Sequence, residues 1–393
     1  MHPKTQLSLV GKQLESSIWH QQRLLRPALV PIVKRYQRSN HAAAAAVDWI
    51  PLCPSNAHQQ QERATTTLPE TTVPHLHRLS PLPLYDFFQK EHTHVSNFTF
   101  AHGASGFAKR RNKTQRRPYH LPQLSSICYS EQMGEDAFFR RNDAIGVADG
   151  VGGWSGTNLA ADPAFFSRQI MHYAYMELER FEDVEDPLFS HYDEADPVQI
   201  LQSSYDESMQ QAQRQGIVGS CTACLAVLRH DELRIANLGD CGISVIRQND
   251  YIFRSEEQQH SFNFPYQLGT GSPDQPKDAQ VFNIKLEKND IIIMGTDGLY
   301  DNLFDKEILS IIRSQVTPFM HPGSSKVFHF EPQRLSDALA LRAKTVSDNK
   351  RNIDSPFQTR AMDEGFYYQG GKKDDISVVV AVVRDNEDAP DRR

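Results

Sequence analysis

Between Ser220 and Met294 the chain offers six strand-like stretches in succession: Ser220–Leu228, Glu232–Asn237, Ile243–Arg247, Tyr251–Arg254, Val281–Leu286 and Ile291–Met294. Turn residues separate them. Strands that follow one another in this way favour antiparallel pairing over parallel strands joined by crossover helices. Shorter apolar stretches suited to strands precede the run at Leu124–Tyr129, Ala137–Arg140 and Ala144–Ala148, and Ile376–Val383 closes the pattern. Helical spacing is confined to other segments. Phe166, Ile170, Met171 and Leu178 recur at that spacing over Pro163–Phe181, with Asp162 as cap and Pro163 in the first turn. Val198–Gln213, Lys306–Ser314 behind Asp305, and Leu335–Val346 complete the set. The acidic stretch Glu182–Asp196 reads as a solvated excursion. The order of elements predicts an α+β fold in which sheets pack on each other and helices lie outside.

The rest of the 393 residues is organised around that block. Residues 1–50 carry Lys4, Lys12, Arg23, Arg26, Lys34, Arg35 and Arg38 against Glu15 and Asp48. A basic, acid-poor, amphipathic start of this kind is expected to be a mitochondrial transit peptide, with a disordered basic tail and a cytoplasmic protein as the alternative. Residues 51–94, rich in Pro, Gln, Thr and His, read as a disordered linker. The folded domain is expected over 95–386, with a polar tail at 387–393. A net charge of −7 gives no overall basic field for nucleic acid. Five scattered cysteines fit a reducing compartment better than a disulfide framework. No uninterrupted apolar run approaches the ~18–20 residues that a membrane span needs.

Chemistry concentrates where strands meet loops. The apolar run Ile291–Met294 leads into Gly295-Thr296-Asp297-Gly298, and Ile145–Ala148 leads into Asp149-Gly150. Asp374 stands just before the closing strand, and Gly134-Glu135-Asp136 lies upstream of the first Asp-Gly. One Asp-Gly is an ordinary turn. Four acidic clusters, each flanking a strand, point instead to carboxylates sharing one cleft. Burying them without partners would cost several kcal/mol, and divalent cations are the natural compensation. The donors are all oxygen, which selects Mg²⁺ or Mn²⁺ over zinc.

Five motifs stand in a family order: Gly134-Glu135-Asp136, Val147 to Trp154 (VADGVGGW), Ala236 to Asp240 (ANLGD), Thr296-Asp297-Gly298, and Gly371 to Ser377 (GKKDDIS). Over about residues 95–385 the chain resembles the metal-dependent Ser/Thr protein phosphatases of the type 2C (PPM) family. The wording around Asp149–Trp154, Glu256–His260 and Pro265–Leu268 is similar to the family's mitochondrial branch. The resemblance implies an α-β-β-α sandwich of two antiparallel sheets, with two Mn²⁺ or Mg²⁺ ions at one end. It implies that Asp149 bridges both ions and that Gly150 lends a backbone carbonyl. Asp297 and Asp374 would be terminal ligands of one ion, and Glu135 and Asp136 would hold the second. The implied activity is hydrolysis of phosphoserine or phosphothreonine by metal-activated hydroxide, with phosphoproteins as partners, a monomeric state and a mitochondrial matrix location.

Two departures from the family pattern matter. Many members have a histidine, a candidate general acid, where this chain has Val151. Many also carry an arginine that grips phosphate shortly before the Glu-Asp pair; here the segment Tyr129–Met133 has no base. Arg140, Arg141 and Lys372 are the candidates to replace it. Cys221 and Cys224, three apart in a strand, should point to opposite faces. Asp240 reads as a structural turn residue. Trp154 would either contact substrate or plug the sandwich end. The basic stretch Lys109–Arg117 reads as a solvated loop, since no aromatic stacking platform accompanies it. The competing functions are an inactive scaffold of the same fold and a small-molecule phosphoesterase.

Overall fold

A computed structural model describes residues 97–109, 128–154, 160–316 and 330–388. The transit-peptide and linker readings, and most of the polar tail, lie outside the described residues. Two antiparallel sheets dominate. The first, in the order β1-β15-β14-β8-β9, is built from Phe98–Phe107 (β1), Ile376–Asp385 (β15), Ile291–Gly295 (β14), Gly242–Arg247 (β8) and Asp250–Arg254 (β9). The second runs Gln280–Lys285 (β13), Glu232–Leu238 (β7), Ala223–Arg229 (β6), Ala144–Ala148 (β4), Asp136–Arg140 (β3) and Glu131–Met133 (β2). Small pairings join Gln259–Ser261 (β10) to Phe264–Pro265 (β11), and Ser220–Cys221 (β5) to Leu268–Gly269 (β12).

The two-residue period of a strand explains why the central strands are apolar throughout. Successive side chains leave opposite faces, so a strand covered on both sides needs apolar residues at every position. In β15, Ile376, Val378, Val380 and Val382 pack outward against helices, while Val379, Ala381 and Val383 pack inward against the other sheet. In β6, Ala223, Leu225 and Val227 face outward, and Cys224, Ala226 and Leu228 face inward. The helices Pro163–Arg180 (α1) and Pro197–Gln215 (α2) cover the outer face of the six-stranded sheet. Asp305–Val316 (α4) and Pro332–Ser347 (α5) cover the five-stranded one. Between β14 and α4 lies the single turn Asp297–Tyr300 (α3), and Pro356–Asp363 (α6) follows α5. The result is the four-layer α-β-β-α sandwich. Asp162 caps α1 by accepting from Phe165 N at 3.1 Å.

Several segments differ from expectation for local reasons. The stretch Ser220–Leu228 divides at Thr222 into β5 and β6: the Thr222 N–H still bonds Asp149 O at 2.9 Å in the β4–β6 register, but Asp149 N donates to the Thr222 hydroxyl at 3.3 Å. Of the strand expected over 124–129 only Cys128 and Tyr129 are described, and neither is in a strand; β2 takes the edge position. β1 has little alternation, yet pairs with β15 over ten residues. Its Gly103 lies under α5, where a Cβ would come within 2.4 Å of Gln333 backbone. The acidic excursion is not wholly solvated. Pro187–Glu194 forms a 3-10 helix that buries Tyr192. Below it the enclosed Arg229 donates to Tyr192 O at 2.8 Å and to Asp143 Oδ2 at 2.9 Å. Among the described residues no helix is long and apolar enough to cross a membrane.

Candidate metal centre

The sheet registers carry the acidic clusters to one end of the sandwich. Ala137 pairs with Ala148, so Asp136 and Asp149 lie side by side just past the end of the β3–β4 ladder. Gly295 pairs with Val378, which brings Asp297 and the Asp374-Asp375 pair to the corresponding end of the other sheet. Thr296 joins the two sheets there. Its hydroxyl donates to Asp136 Oδ2 at 2.8 Å and accepts from Ser377 N at 3.1 Å. Asp375 makes a second clasp, accepting from Glu135 N at 3.0 Å and from Lys109 N at 2.6 Å. Two glycines allow this crowding. A Cβ at Gly298 would stand 2.0 Å from Asp375 O, and one at Gly134 (φ +71°) 2.0 Å from Asp375 Oδ1.

The cluster is strongly acidic and largely enclosed. Burial, then Asp375, with Asp297 and Asp374 beyond, pushes Asp136 well above the usual carboxylate range, and the Thr296 hydroxyl only partly offsets this. Burial and the neighbouring charges of Asp297, Asp136, Asp374 and Asp240 do the same to Asp149. Burial and Asp297 raise Asp240, with Lys372 opposing. Burial lifts Asp297 to about 6, again against Lys372. The Lys372 ammonium stands among these groups. It pairs with Asp297, with Asp301 Oδ2 at 2.6 Å and with Asp374 Oδ2 at 3.4 Å. Burial alone would depress it, but Asp297, Asp301, Asp374 and Asp240 hold it well above the ordinary lysine value. Asp374 is the exception among the carboxylates: burial raises it, yet Lys372 and Lys109 bring it below the usual range.

Cations are scarcer than carboxylates here, and two buried oxygens, Asp136 Oδ1 and Asp297 Oδ1, have no hydrogen-bond partner. An all-oxygen donor set with orphaned carboxylate oxygens fits hard divalent ions. Among the described residues no three donor groups close on a single point; Asp297, Asp301 and Asp374 surround the Lys372 ammonium instead.

The structure brings Asp136, Asp149, Asp297 and Asp374 together. Glu135 and Gly150 adjoin them, since a Cβ on Gly150 would meet Glu135 O at 2.6 Å. It does not bring Arg140 or Arg141. They follow Asp136 by four and five residues, on the order of 13 Å and more along an extended chain. Arg140 pairs with Glu131, and the buried Arg141 is held by Asp143, Glu179 and Glu182. Lys372 does reach the site, but its donors are directed at carboxylates.

Two residues outside the expected set join the cluster. Asp240, read as a turn residue, follows β7 at the same sheet end, so the Gly-Asp after an apolar strand was the available signal. Asp301 stands four residues after Asp297, one helical turn along the same face. Trp154, read as either a substrate contact or a plug, is buried and donates from Nε1 to Ser220 Oγ at 2.8 Å. Cys221 and Cys224 belong to different cores, on opposite faces of the sheet, and burial pushes both thiols up, away from reactivity.

Comparison with known proteins places this architecture. The sequence profile described as Protein phosphatase 2C matches residues 126–340. Probable protein phosphatase 2C 80 of Arabidopsis thaliana is 38% identical over 254 residues, covering 64% of this chain and 54% of that protein. The Protein phosphatase PTC7 homolog of Homo sapiens is 35% identical over 276 residues, covering 66% of this chain and 82% of that protein. The matches span only about half the length of the Arabidopsis relatives 80 and 55. Among solved structures, the X-ray structure of the photosystem II phosphatase PBCP superposes with a TM-score of 0.55 at 29% identity, covering 72% of this chain and 99% of that one. The profile match and the PTC7 relative agree with the acidic cluster between two antiparallel sheets: this chain belongs to the protein phosphatase 2C family.

Proposed function

We propose that the chain is a Mn²⁺- or Mg²⁺-dependent phosphatase acting on phosphoserine and phosphothreonine in proteins. The observation that carries this reading is the meeting of Asp136, Asp149, Asp297 and Asp374, distant in sequence, with orphaned buried oxygens at one sheet end. Asp149 would serve both ions, and Gly150 would lend a backbone carbonyl. Asp297 and Asp374 would complete one site, and Glu135 with Asp136 the other. When bound, the ions supply Lewis acidity toward phosphoryl oxygens and acidify a water for attack on phosphorus.

The protein's own groups do the rest. Thr296 fixes the Asp136 carboxylate through Oδ2, leaving Oδ1 for a cation. Asp375 holds the backbone of Glu135 and so sets where that side chain starts. Asp240 and Asp301 add negative potential on the Lys372 side of the cleft. The Asp149 loop is tied to β5 through Trp154, whose Nε1 donates to Ser220 Oγ.

A mitochondrial matrix location is supported by the basic, acid-poor composition of residues 1–50. A fluorescent fusion of that segment is expected to reach mitochondria, and cytosolic fluorescence would remove the targeting reading. The activity is tested with a phosphothreonine peptide, with and without chelator, alongside Asp297→Asn. Hydrolysis should require Mn²⁺ or Mg²⁺ and should fall about 100-fold or more in the variant. Chelator-resistant hydrolysis would end the metal mechanism. Absence of hydrolysis with an intact fold would favour the scaffold reading, and preference for small phosphate esters the metabolite one.

A further inference from the structure

We infer that Lys109 is the cation that receives the substrate's phosphate group, a role for which no residue of the Tyr129–Met133 segment is equipped. The inference rests on the phosphatase reading above. Among the described residues, three cations touch the acidic cluster. Lys372 is enclosed, with its ammonium directed at Asp297, Asp301 and Asp374. Arg360 is taken up in bridging Glu257 and Asp301. Lys109 approaches from solvent: its side chain is 41% exposed and its Nζ lies 3.2 Å from Asp374 Oδ1. An ammonium there is at the rim of the cleft, next to a carboxylate proposed to hold an ion.

The backbone of Lys109 is not loose. Its N–H donates to Asp375 Oδ1 at 2.6 Å, and the other oxygen of the same carboxylate accepts from Glu135 N at 3.0 Å. Asp375 therefore spaces Lys109 from the Glu135-Asp136 pair as if the two were on one element. The four-carbon stem beyond that anchor lets the ammonium swing several Å, with three donors for anionic oxygens. Asp374, if it held a cation, would give up part of its charge to it and would hold Lys109 less tightly. A phosphomonoester drawn to the same ions then offers the ammonium a dianionic partner in place of a neutralised one. A compact, mobile point charge suits a phosphate that must arrive and leave.

The test compares wild type, Lys109→Met, which keeps the apolar stem, and Lys109→Arg, which keeps the charge. Three quantities are measured at saturating Mn²⁺: KM and kcat on a phosphothreonine peptide, competitive inhibition by inorganic phosphate, and calorimetric binding of inorganic phosphate. Mn²⁺ affinity is measured separately. For Lys109→Met, KM and the phosphate inhibition and dissociation constants should each rise about tenfold, the loss of one charge-assisted contact. kcat should change less, and Lys109→Arg should restore most of the loss. An active wild type whose Lys109→Met variant binds phosphate equally well would overturn the inference. So would a loss that disappears once Mn²⁺ is saturating, because Lys109 would then act only through Asp374. A wild type that binds phosphate through Lys109 but hydrolyses no peptide would overturn the phosphatase reading and leave the inference standing.

Discussion

Replacing Lys372 with methionine separates an internal counter-ion from a substrate-binding lysine. The side chain is 14% exposed and pairs with Asp297 and Asp301, whose side chains are 12% and 4% exposed. Removing one partner of a buried ion pair costs about 3–5 kcal/mol when the other is left charged and alone. Two features reduce that figure. Asp301 keeps Arg360. Asp297, lifted to about 6 by burial even against Lys372, would rise further without that ammonium, so it can take up a proton at pH 7.5 for no more than roughly 2 kcal/mol. The expected loss for Lys372→Met in chelator is then about 2–3 kcal/mol, or a fall in Tm of about 4–12 °C. In Mn²⁺ the deficit should shrink or reverse, because the divalent ion supplies the positive charge the variant lacks, and Mn²⁺ affinity should tighten. Thermal unfolding with EDTA and with Mn²⁺, plus calorimetric titration of the metal, reads both effects. Lys373→Met is the control, since Lys373 reaches only the half-exposed Asp348 at 3.6 Å, and it should change stability by less than about 0.5 kcal/mol. Equal deficits with and without Mn²⁺, or no deficit in EDTA, would refute the counter-ion reasoning.

Other outcomes follow from the same geometry. Thr296→Val leaves buried Asp136 Oδ2 and Ser377 N without their shared hydroxyl and should cost about 2–4 kcal/mol in chemical denaturation. In chelator, Asp136, Asp149, Asp240 and Asp297 all sit above their unfolded values. Their contribution to stability is fully present below the unfolded carboxylate pKa and is lost as pH rises through the folded ones, about 6 for Asp297. Asp301 is raised likewise, and Asp374, lowered, titrates below this range; the groups that oppose the trend within it are His102 and His172, which burial lowers, two against those five. The metal-free protein should therefore melt higher at pH 5.5 than at pH 7.5, and a flat or opposite trend would contradict the crowded-carboxylate picture. Arg140→Gln, which touches only the exposed Glu131 pair at the far end of β3, should leave KM for a phosphopeptide unchanged within twofold.

Much of the scaffold was legible because its signals are local. β14 and β15 read as strands from unbroken apolar runs. α1 was readable from its 3.6-residue spacing behind Asp162, and the opposed thiols of Cys221 and Cys224 from the two-residue period alone. β1 was not legible, because Gly103, Gly106 and its small residues answer to α5 and β15 rather than to a pattern of their own. The helix α6 is two turns of mixed polarity whose Phe357 is buried by distant aromatic partners. In the site, Asp149, Asp297 and Asp374 stood out by position at strand ends. Asp240 and Asp301 did not, since a turn aspartate and a helical aspartate become site residues only when other carboxylates face them.

By itself the sequence determined a succession of strands, the faces they present, and a set of carboxylates at strand ends, because alternation and turn chemistry act over a few residues. Tertiary structure alone decided which cations answer them. Arg140 and Arg141 look eligible by proximity in the chain, yet an extended strand carries them away from Asp136 at about 3.3 Å per residue. Lys109 and Lys372, more than 260 residues apart, meet at Asp374 because β1 and β15 pair along their full length. Charge interactions fall with distance in space, and only the sheet register sets that distance.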